Sequence, residues 1–470
     1  MMEKSGWVRG ETLGRGDRPS EYDDPIEAAE QAAQFIGSKH GLGFKGAAPT
    51  KGIRIDVALS QDEVDLNREI RMQDEYEMIS LSDPACLSPD YDWHRGLVLE
   101  NEEPMPDGRF CEEELVNQLF QFKSAFDDVP PEKFKEARMK ANPYERVGKH
   151  IFQNRAALKM ANLDSIFKFT QTLPCPGEGG AAVAVAVAVV GVLTSVRGAL
   201  RGCRLEKFNK QSPHHNFHPY YGPHDDGFGV ARDVTNPDNV SGFLGLIEQH
   251  RPQGLDLFVA DGGFSTEGQE NRQELVMRQL ILCQFLIGLG VLRQGGSFVC
   301  KIFDNYLPYT VELLFMMGLH FASVTVMKPL TSRPANSERY LVGQGLLRRS
   351  PPVVGYMRHV NGIFNDLQAA IRANVDTARL TPREPVHLFP PEAIGGGFLE
   401  YIRRTNIRIA QQQRAALEEL IKYIRDPTLQ PVQQATIQED CYQMWGLPVC
   451  RPPHPLSASL PIVAPSPDLT

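Results

Sequence analysis

Short apolar runs alternate with helical stretches along the second half of the chain. The predicted strands are residues 255–260 (LDLFVA), 297–303 (SFVCKIF), 323–327 and 338–346. The predicted helices are residues 270–292 and 308–319, and the phrase QGG is predicted to end the first of them. This alternation predicts a doubly wound α/β sheet. Ligands of such sheets bind beyond the carboxyl ends of the strands.

Helices are also predicted on both sides of this alternation. Before it, residues 112–122, 131–140 and 152–169 have helical apolar spacing, and after it residues 362–373 and 407–424 do. The phrase RRSPPVVGY, which follows the last strand, is predicted to be a loop. The Pro- and Ser-rich residues 451–470 are predicted to be a disordered tail.

Composition is typical of a folded globular protein, but the charge is unevenly distributed. The 470 residues are 42% apolar and 23% charged, and the net charge of −9 by itself argues against a nucleic-acid binder. Residues 1–118 hold 12 Lys and Arg against 26 Asp and Glu, so the rest of the chain holds 37 against 32. The acidic excess therefore lies in the N-terminal quarter, and the predicted α/β region carries a small basic excess.

Cysteine spacing and hydropathy exclude several other classes. The eight cysteines form no CxxC pair, so neither a zinc site nor a disulfide framework is predicted. The most apolar run, AAVAVAVAVVGVL at residues 181–193, is shorter than the roughly 20 residues that span a bilayer. The N-terminal MMEKSGWVRGE lacks the apolar core of a signal peptide. We therefore expect an intracellular protein with no metal and no membrane contact.

Two charged residues lie where the sheet rule predicts chemistry. Asp261 directly follows one buried strand, and Lys301 lies near the end of the next. A buried lysine is costly unless it is paired, so one reading is a structural pair with Asp304 or Asp261. The functional reading is a desolvated lysine that lies beside other cations, has a lowered pKa and accepts a proton from a hydroxyl group.

Six long phrases carry a more specific signal: FQNRAALKMANLD (152–164), ADGGFSTEGQEN (260–271), QLILCQFL (279–286), GGSFVCKIFD (295–304), KPLTSRPANSERY (328–340) and EDCYQMWGLP (439–448). These phrases resemble the cap-specific mRNA nucleoside-2′-O-methyltransferases, a family of the RrmJ/FtsJ class of S-adenosylmethionine-dependent enzymes. The resemblance implies a Rossmann-like methyltransferase domain with helical flanks over residues 119–350. It also implies that residues 351–450 are a C-terminal helical extension of that domain.

The resemblance implies a catalytic Lys-Asp-Lys-Glu tetrad. Matched motif to motif, its members are Lys159, Asp261, Lys301 and Glu338. A ribose 2′-hydroxyl is a poor nucleophile, so Lys301 is expected to act as the general base in methyl transfer. Lys159 and Asp261 are expected to tune its charge state, and Glu338 to hold the cationic partners in place.

The same resemblance implies residues that bind the capped RNA. They are Lys123, Ser124, Ala125, Phe126 and Asp127 in KSAFD, together with Arg138, Asn271, Arg272, Gln273 and Asn336. Basic and amide side chains suit a triphosphate bridge and a purine edge. Taken singly, Lys123 and Arg138 are also compatible with a solvated helix face.

For the methyl donor, S-adenosylmethionine, the implied contacts are Asn154, Asp233 and Val234. The chain departs from the family at residues 170–204, where a glycine-rich phrase of the type CAGPGGFSEY is expected. It contains PGEGG and an Ala-Val alternation instead. That alternation has strand period and could supply a buried strand, although it also resembles low-complexity sequence.

At the other end, SGWVRGETLGRG, DDPIEA and GLGFKG within residues 1–46 resemble a G-patch. A G-patch implies a DEAH-box RNA helicase as partner, whereas composition alone favours a flexible tail. Residues 47–118 are predicted to be an acidic linker.

Taken together, the resemblance implies a nuclear enzyme that methylates the 2′-hydroxyl of the first transcribed nucleotide in m7GpppN-capped mRNA. The alternative is a catalytically inactive relative that binds capped RNA or a helicase but lacks a working S-adenosylmethionine loop.

Overall fold

A computed structural model describes residues 57, 59, 70–81, 90–147, 155–169, 184–187, 220, 233–263, 266, 269–373, 383–432 and 434–446. The predicted G-patch and the predicted tail, residues 1–46 and 451–470, lie outside the described residues.

The strands in the part of the chain that the structure describes form one five-stranded sheet and one two-stranded sheet. In chain order they are β1 (Val98–Glu100), β2 (Ala184–Val187), β3 (Leu255–Ala260), β4 (Leu292–Ile302), β5 (Phe321–Met327), β6 (Arg339–Leu346) and β7 (Glu384–His387). The large sheet has the order β2-β3-β4-β6-β5, and β1 pairs with β7.

The helices flank the large sheet and continue beyond it. They are α1 (Glu113–Ser124), α2 (Pro131–Ala141), α3 (Arg155–Phe167), α4 (Pro237–His250), α5 (Gln273–Val291), α6 (Pro308–Gly318), α7 (Pro351–Arg372), α8 (Gly396–Arg425) and α9 (Ala435–Met444). Within the described ranges, three short 3-10 helices cover Trp93–Gly96, Glu270–Arg272 and Pro391–Ala393.

The sheet is mixed rather than wholly parallel. Strands β2, β3 and β4 are parallel, whereas β6 runs antiparallel to both β4 and β5. A parallel crossover needs a dozen or more residues and usually a helix. Only residues 328–338 separate β5 from β6, and they contain no helix, so the chain turns back beside β5.

The Ala-Val alternation supplies one strand of this sheet. Residues Ala184–Val187 form β2, which pairs in parallel with β3 so that Ala184 lies beside Leu257 and Val187 beside Ala260. The suggestion that this stretch supplies a strand is confirmed for these four residues. The rest of residues 170–204, including PGEGG, lies outside the described residues.

The core forms around β3, β4 and the apolar helix α5. Phe258 and Phe298 stack with ring centroids 5.5 Å apart, and Phe285 from α5 meets Phe298 edge-on at 5.4 Å. The stretch Glu270–Val291 is long and apolar enough to cross a membrane, but 89% of its most apolar window is buried inside the protein. Within this fold it is the central helix that covers the sheet.

Several predicted boundaries are wrong for physical reasons. The phrase QGG does not end α5, because the helix stops at Val291 and the glycines lie within β4, where Gly295 has a φ of +78°. The phrase RRSPPVVGY is not a loop, because Pro351 begins α7 at a position where proline needs no N–H partner. Helix α8 likewise begins at Gly396, well before residue 407.

An acidic segment, residues 70–81, packs against this domain and is here named the strap. Ile79 makes backbone hydrogen bonds in both directions with Val324 on the edge strand β5, at 2.9 and 2.8 Å. Asp74 accepts hydrogen bonds from the Leu330 N–H at 2.8 Å and from the Asn162 amide at 2.6 Å. The strap therefore contacts both the edge of the sheet and the loop that follows β5.

Candidate active site

Strand register brings the predicted tetrad together at the carboxyl edge of the sheet. Ala260 of β3 lies beside Cys300 of β4, so Asp261 comes next to Lys301. On the other side of β4, Lys301 lies directly opposite Tyr340 of β6. Because strand side chains alternate, Glu338 and Tyr340 lie on the same side of β6. Lys159 reaches this group from α3.

The four tetrad side chains form two ion pairs, one buried and one half-buried. The Lys159 ammonium lies 2.6 Å from a Glu338 carboxylate oxygen. The Lys301 ammonium lies 3.1 Å from the Asp261 carboxylate and also donates to the Asp261 backbone carbonyl at 3.0 Å. Asp304 and Asp261 were the two structural partners considered for Lys301, and the pair that forms is with Asp261.

Two further polar residues complete the site, and the motif comparison missed both. The Tyr340 hydroxyl donates to the Asp261 carboxylate at 2.9 Å, and its ring lies 5.9 Å from the Lys159 ammonium. The Ser332 hydroxyl donates to Glu338 at 3.0 Å. The available signal was strand alternation, because Tyr340 lies two residues after Glu338 in the same predicted strand.

Electrostatics keep the carboxylate of Glu338 ionised. Burial alone would raise the pKa of Glu338, but the charges of Lys159 and Lys301 outweigh it and lower the pKa to about 2. Its negative charge is therefore present throughout the physiological pH range.

The expected lowering of the pKa of Lys301 is wrong for this arrangement. Burial acts to lower it, but the carboxylates of Asp261 and Glu338 raise the pKa above its ordinary value. With its neighbours as they stand, Lys301 holds a proton at neutral pH. The prediction counted the nearby cation, Lys159, without knowing that Glu338 already neutralises it.

Helix α3 positions Lys159 through a neighbouring residue. Asn162, one turn further along α3, is fully buried and accepts hydrogen bonds from the Thr331 N–H and hydroxyl at 3.3 and 3.2 Å. Its amide donates to Asp74 of the strap. Helix α3, the strap and the loop that carries Glu338 are thus joined by one set of hydrogen bonds.

The KSAFD segment ends α1 near this site, but its lysine is not a solvated side chain. Lys123 is 8% exposed and donates to the Asp304 carboxylate at 2.7 Å and to the Ser337 hydroxyl at 2.8 Å. The solvated-face alternative is therefore wrong for Lys123. Its role as a substrate contact stays a prediction.

Other residues expected to bind the cap lie beside KSAFD. The Asn271 amide donates to the Ser124 hydroxyl at 2.8 Å and to the Phe120 carbonyl at 3.2 Å. Of the remaining members of this group, Ala125 and Gln273 are half-buried and Asp127 is exposed. Phe126 packs edge-on against Phe134, and Arg272 pairs with Glu103. The structure thus brings the two substrate motifs together.

Arg138 belongs to a second group of basic residues. Arg155 and Arg333 share the single carboxylate of Glu145, at 3.5 and 3.0 Å. Burial, with help from these two arginines, lowers the pKa of Arg138. The buried Nε of Arg138 has no hydrogen-bond partner among the described residues. Two guanidinium groups thus pair with one carboxylate while that of Arg138 feels the charges of all three, and we name Arg138, Arg155 and Arg333 the guanidinium cluster.

Asn336, the last of the predicted substrate residues, lies two residues before Glu338. It is half-buried, and its side-chain and backbone oxygens both accept from Lys328.

The residues expected to hold the methyl donor are described in part. Asp233 is exposed, and its carboxylate accepts from the Thr235 N–H at 2.8 Å near the start of α4. Because α4 leads into the amino end of β3, its own N-terminus lies near the carboxyl edge. Val234 packs against the main core. Asn154 lies outside the described residues.

The backbone also approaches the predicted base closely. A Cβ atom at Gly263 would lie 3.2 Å from the Lys301 ammonium and 3.3 Å from the Phe303 ring. The neighbouring Gly262 N–H donates to Gln284 of α5 at 2.9 Å. The ADGG turn therefore passes over Lys301, where a larger residue would crowd its ammonium group.

Comparison with known families decides what kind of domain this geometry belongs to. Residues 152–346 match the family model described as FtsJ-like methyltransferase. Residues 152–346 are therefore similar to FtsJ-like methyltransferases. The predicted Rossmann-like methyltransferase fold is thereby confirmed, and α3, the central sheet and all four tetrad residues lie within the FtsJ-like domain.

Similarity extends over 95% of the chain to several proteins that are named cap-specific mRNA (nucleoside-2′-O-)-methyltransferase 1. The Xenopus laevis protein is 34% identical over 490 residues, and the match covers 53% of the length of that protein. The Homo sapiens protein is 33% identical with 54% covered, and the Dictyostelium discoideum protein is 31% identical with 60% covered. The chain thus spans about half the length of the curated relatives it matches.

The family model that residues 152–346 match is one of methyltransferases, for which S-adenosylmethionine is the expected donor. The described residues fit such a donor. An exposed carboxylate at Asp233 could accept hydrogen bonds from a ribose or an adenine, as acidic residues do in other nucleotide sites. Asp261, in contrast, is already engaged by Lys301 and Tyr340.

Proposed function

We propose that this protein is an S-adenosylmethionine-dependent methyltransferase that acts on the ribose 2′-hydroxyl of the first transcribed nucleotide in capped mRNA. One observation carries the proposal. Lys301 pairs with Asp261, and Lys159 pairs with Glu338, at the carboxyl edge of the sheet in the region that matches the FtsJ-like model. Substrate and donor would meet at that edge.

Each tetrad residue has a chemical task in this proposal. Lys301 accepts the proton of the ribose hydroxyl after releasing its own, and Asp261 holds its ammonium in position. Tyr340 keeps the Asp261 carboxylate in place, and Glu338 balances the charge of Lys159. When bound, S-adenosylmethionine supplies the electrophilic methyl group on a sulfonium. Asp233, Val234 and Asn154 are proposed to hold it.

The guanidinium cluster supports an anionic substrate. Arg155 also donates to the Thr331 carbonyl at 2.7 Å, one residue before Ser332, which contacts the tetrad. Guanidinium groups bind phosphate oxygens in a fork geometry. Because one carboxylate faces three cations, the cluster can take up further negative charge, as the phosphates of capped RNA would provide.

The test compares two RNAs that differ in one oxygen. Purified protein with S-adenosylmethionine is expected to methylate capped RNA, but not the same RNA with a 2′-deoxy first nucleotide. A calorimetric titration with S-adenosylmethionine alone is expected to saturate. If it does not saturate while circular dichroism shows an intact fold, the inactive cap-binding alternative replaces this proposal.

Arg333→Gln is expected to weaken RNA binding more at low salt than at high salt. The variant removes one cation from the guanidinium cluster, so the slope of log affinity against log salt should fall by about one unit. Filter binding of capped RNA at several salt concentrations measures this slope.

Arg349→Gln is the matched control for this change. It removes the same charge near Pro252 and Gly290, where the amino ends of β3 and β4 begin, and its salt slope should stay unchanged. Equal slopes for Arg333→Gln and the unmodified protein would rule out a phosphate contact by Arg333.

Two further proposals concern residues 1–46 and the cellular location. The G-patch-like phrases support binding to a DEAH-box RNA helicase, and the proposed substrate, nascent mRNA, supports a nuclear location. Deletion of residues 1–46 is expected to abolish stimulation of a purified helicase of that class and to leave methyl transfer intact. Unchanged stimulation after deletion would exclude these residues as the helicase contact.

A further inference from the structure

A buried lysine outside the tetrad lies under the loop that carries Glu338. Lys328 directly follows β5 and is 6% exposed. Its ammonium donates three hydrogen bonds: to the Asn336 carbonyl at 2.7 Å, to the Asn336 side-chain oxygen at 2.7 Å and to the Glu338 carbonyl at 2.9 Å. One ammonium group therefore joins the first residue of the β5–β6 connection to two residues near its end, Asn336 and Glu338.

All three acceptors are neutral oxygens. Among the described residues, no carboxylate lies within ion-pairing distance of the Lys328 ammonium. Burial lowers its pKa to about 7; Glu338 and Asp304 oppose this shift, and Arg339 and Lys159 add to it. A buried ammonium without an ionic partner costs free energy, which an apolar side chain of similar length would avoid. The hydrogen bonds therefore point to a role in placing the loop.

The loop held in this way carries two residues that matter to the site. The Asn336 side-chain oxygen also accepts from the Glu338 N–H at 3.2 Å. The Glu338 carboxylate then meets Lys159 at 2.6 Å. The chain of contacts runs from Lys328 through Asn336 to Glu338 and the tetrad.

We propose that Lys328 is a positioning residue, whose three hydrogen bonds fix Asn336 and Glu338 so that Glu338 stays paired with Lys159. Lys328 itself touches neither substrate nor donor. The placement of the loop does not depend on which reaction the site performs. Only the activity measurement described below rests on the proposed function.

The first test measures the loop directly. In Lys328→Met, amide hydrogen exchange in peptides covering residues 329–338 is expected to be at least about tenfold faster, because the loop loses its anchor. Exchange in β3 and β4 should stay unchanged. The control is Lys422→Met, which alters an equally buried lysine on α8 that pairs with Glu419. Unchanged exchange at 329–338 in Lys328→Met would overturn the proposal, whatever reaction the protein catalyses.

The second test measures turnover of the full protein on capped RNA. Lys328→Met is expected to lower kcat by roughly ten- to a hundredfold, with the KM for S-adenosylmethionine unchanged, since the change displaces Glu338 rather than a binding group. Lys328→Gln is expected to recover part of this loss, because its amide can still donate two hydrogen bonds. A merely structural lysine would give lower thermal stability with normal kcat in both variants.

The two failures can be told apart. If the unmodified protein does not methylate capped RNA, the proposed function fails while the exchange result still decides the role of Lys328. If Lys328→Met does not fold, Lys328→Gln takes its place in both measurements, and normal exchange together with normal kcat in that variant would overturn the proposal.

Discussion

Lys301→Ala is expected to abolish measurable methyl transfer to capped RNA. A positioned general base contributes a factor of about 10²–10⁴ to a rate, and this variant removes the base together with the partner of Asp261. Cap affinity should change little, because the groups expected to bind the cap lie on α1, α2 and the loops around Asn271 and Asn336. Single-turnover assays and filter binding on the same preparations measure the two effects separately.

The pH dependence provides an independent check on this role. Because Asp261 and Glu338 hold the pKa of Lys301 above its ordinary value, the amine carries a proton at neutral pH. A base must first lose that proton, so log(kcat/KM) should rise by about one per pH unit through the neutral range. A flat profile over that range would contradict the assignment of Lys301 as the base.

Lys140→Ala is the matched control for the loss of a lysine. Lys140 lies on α2, where it pairs with Glu136 one turn away and donates to the Pro427 carbonyl. The control should retain normal turnover. Normal turnover in Lys301→Ala itself would show that another group accepts the proton.

The sequence predicted this site well where local rules and motifs apply. Asp261 and Lys301 each end a buried strand, so their meeting at one edge follows from the parallel arrangement of β3 and β4. The motifs alone placed Lys159 and Glu338 in one tetrad, since no local rule joins α3 to the start of β6. The FtsJ-like family match confirms the fold class that the alternation predicted.

Long-range pairing explains what the sequence could not provide. Lys123 lies on an amphipathic helix, where a lysine usually faces water, and only the tertiary structure brings it 2.7 Å from Asp304. The direction of the pKa shift of Lys301 depends on which cations are already neutralised, and this is again a property of the assembled site. Pro351 begins a helix because the first helical turn needs no N–H partner at that position, which a reading of RRSPPVVGY as turn-forming sequence overlooked.

Asp304→Asn is expected to lower the free energy of unfolding by about 3–5 kcal/mol, because it leaves two buried cations without their anion. Asp304 is 3% exposed and accepts from Lys123 at 2.7 Å and from Arg339 at 3.1 Å, and Arg339 is fully buried. Urea unfolding at neutral pH measures the change. Glu248→Gln is the control, because its pair with Arg349 is exposed and should contribute less than about 1 kcal/mol.

Acid should reproduce the effect of Asp304→Asn in the unmodified protein. Burial acts to raise the pKa of Asp304, but Lys123 and Arg339 outweigh it and hold the pKa below its ordinary value. The contribution of Asp304 is therefore fully present above the pKa of the unfolded chain and is lost as the pH falls through the lower, folded value. Asp304→Asn should accordingly flatten the acid limb of the stability curve.

The outcome also decides how Lys123 acts. If Asp304→Asn destabilises the protein as expected, Lys123 is held between α1 and the end of β4 as part of the framework, and its charge is balanced before any RNA arrives. A loss no larger than that of Glu248→Gln would mean that Asp304 does not hold Lys123, which would leave the lysine available for a phosphate of the cap.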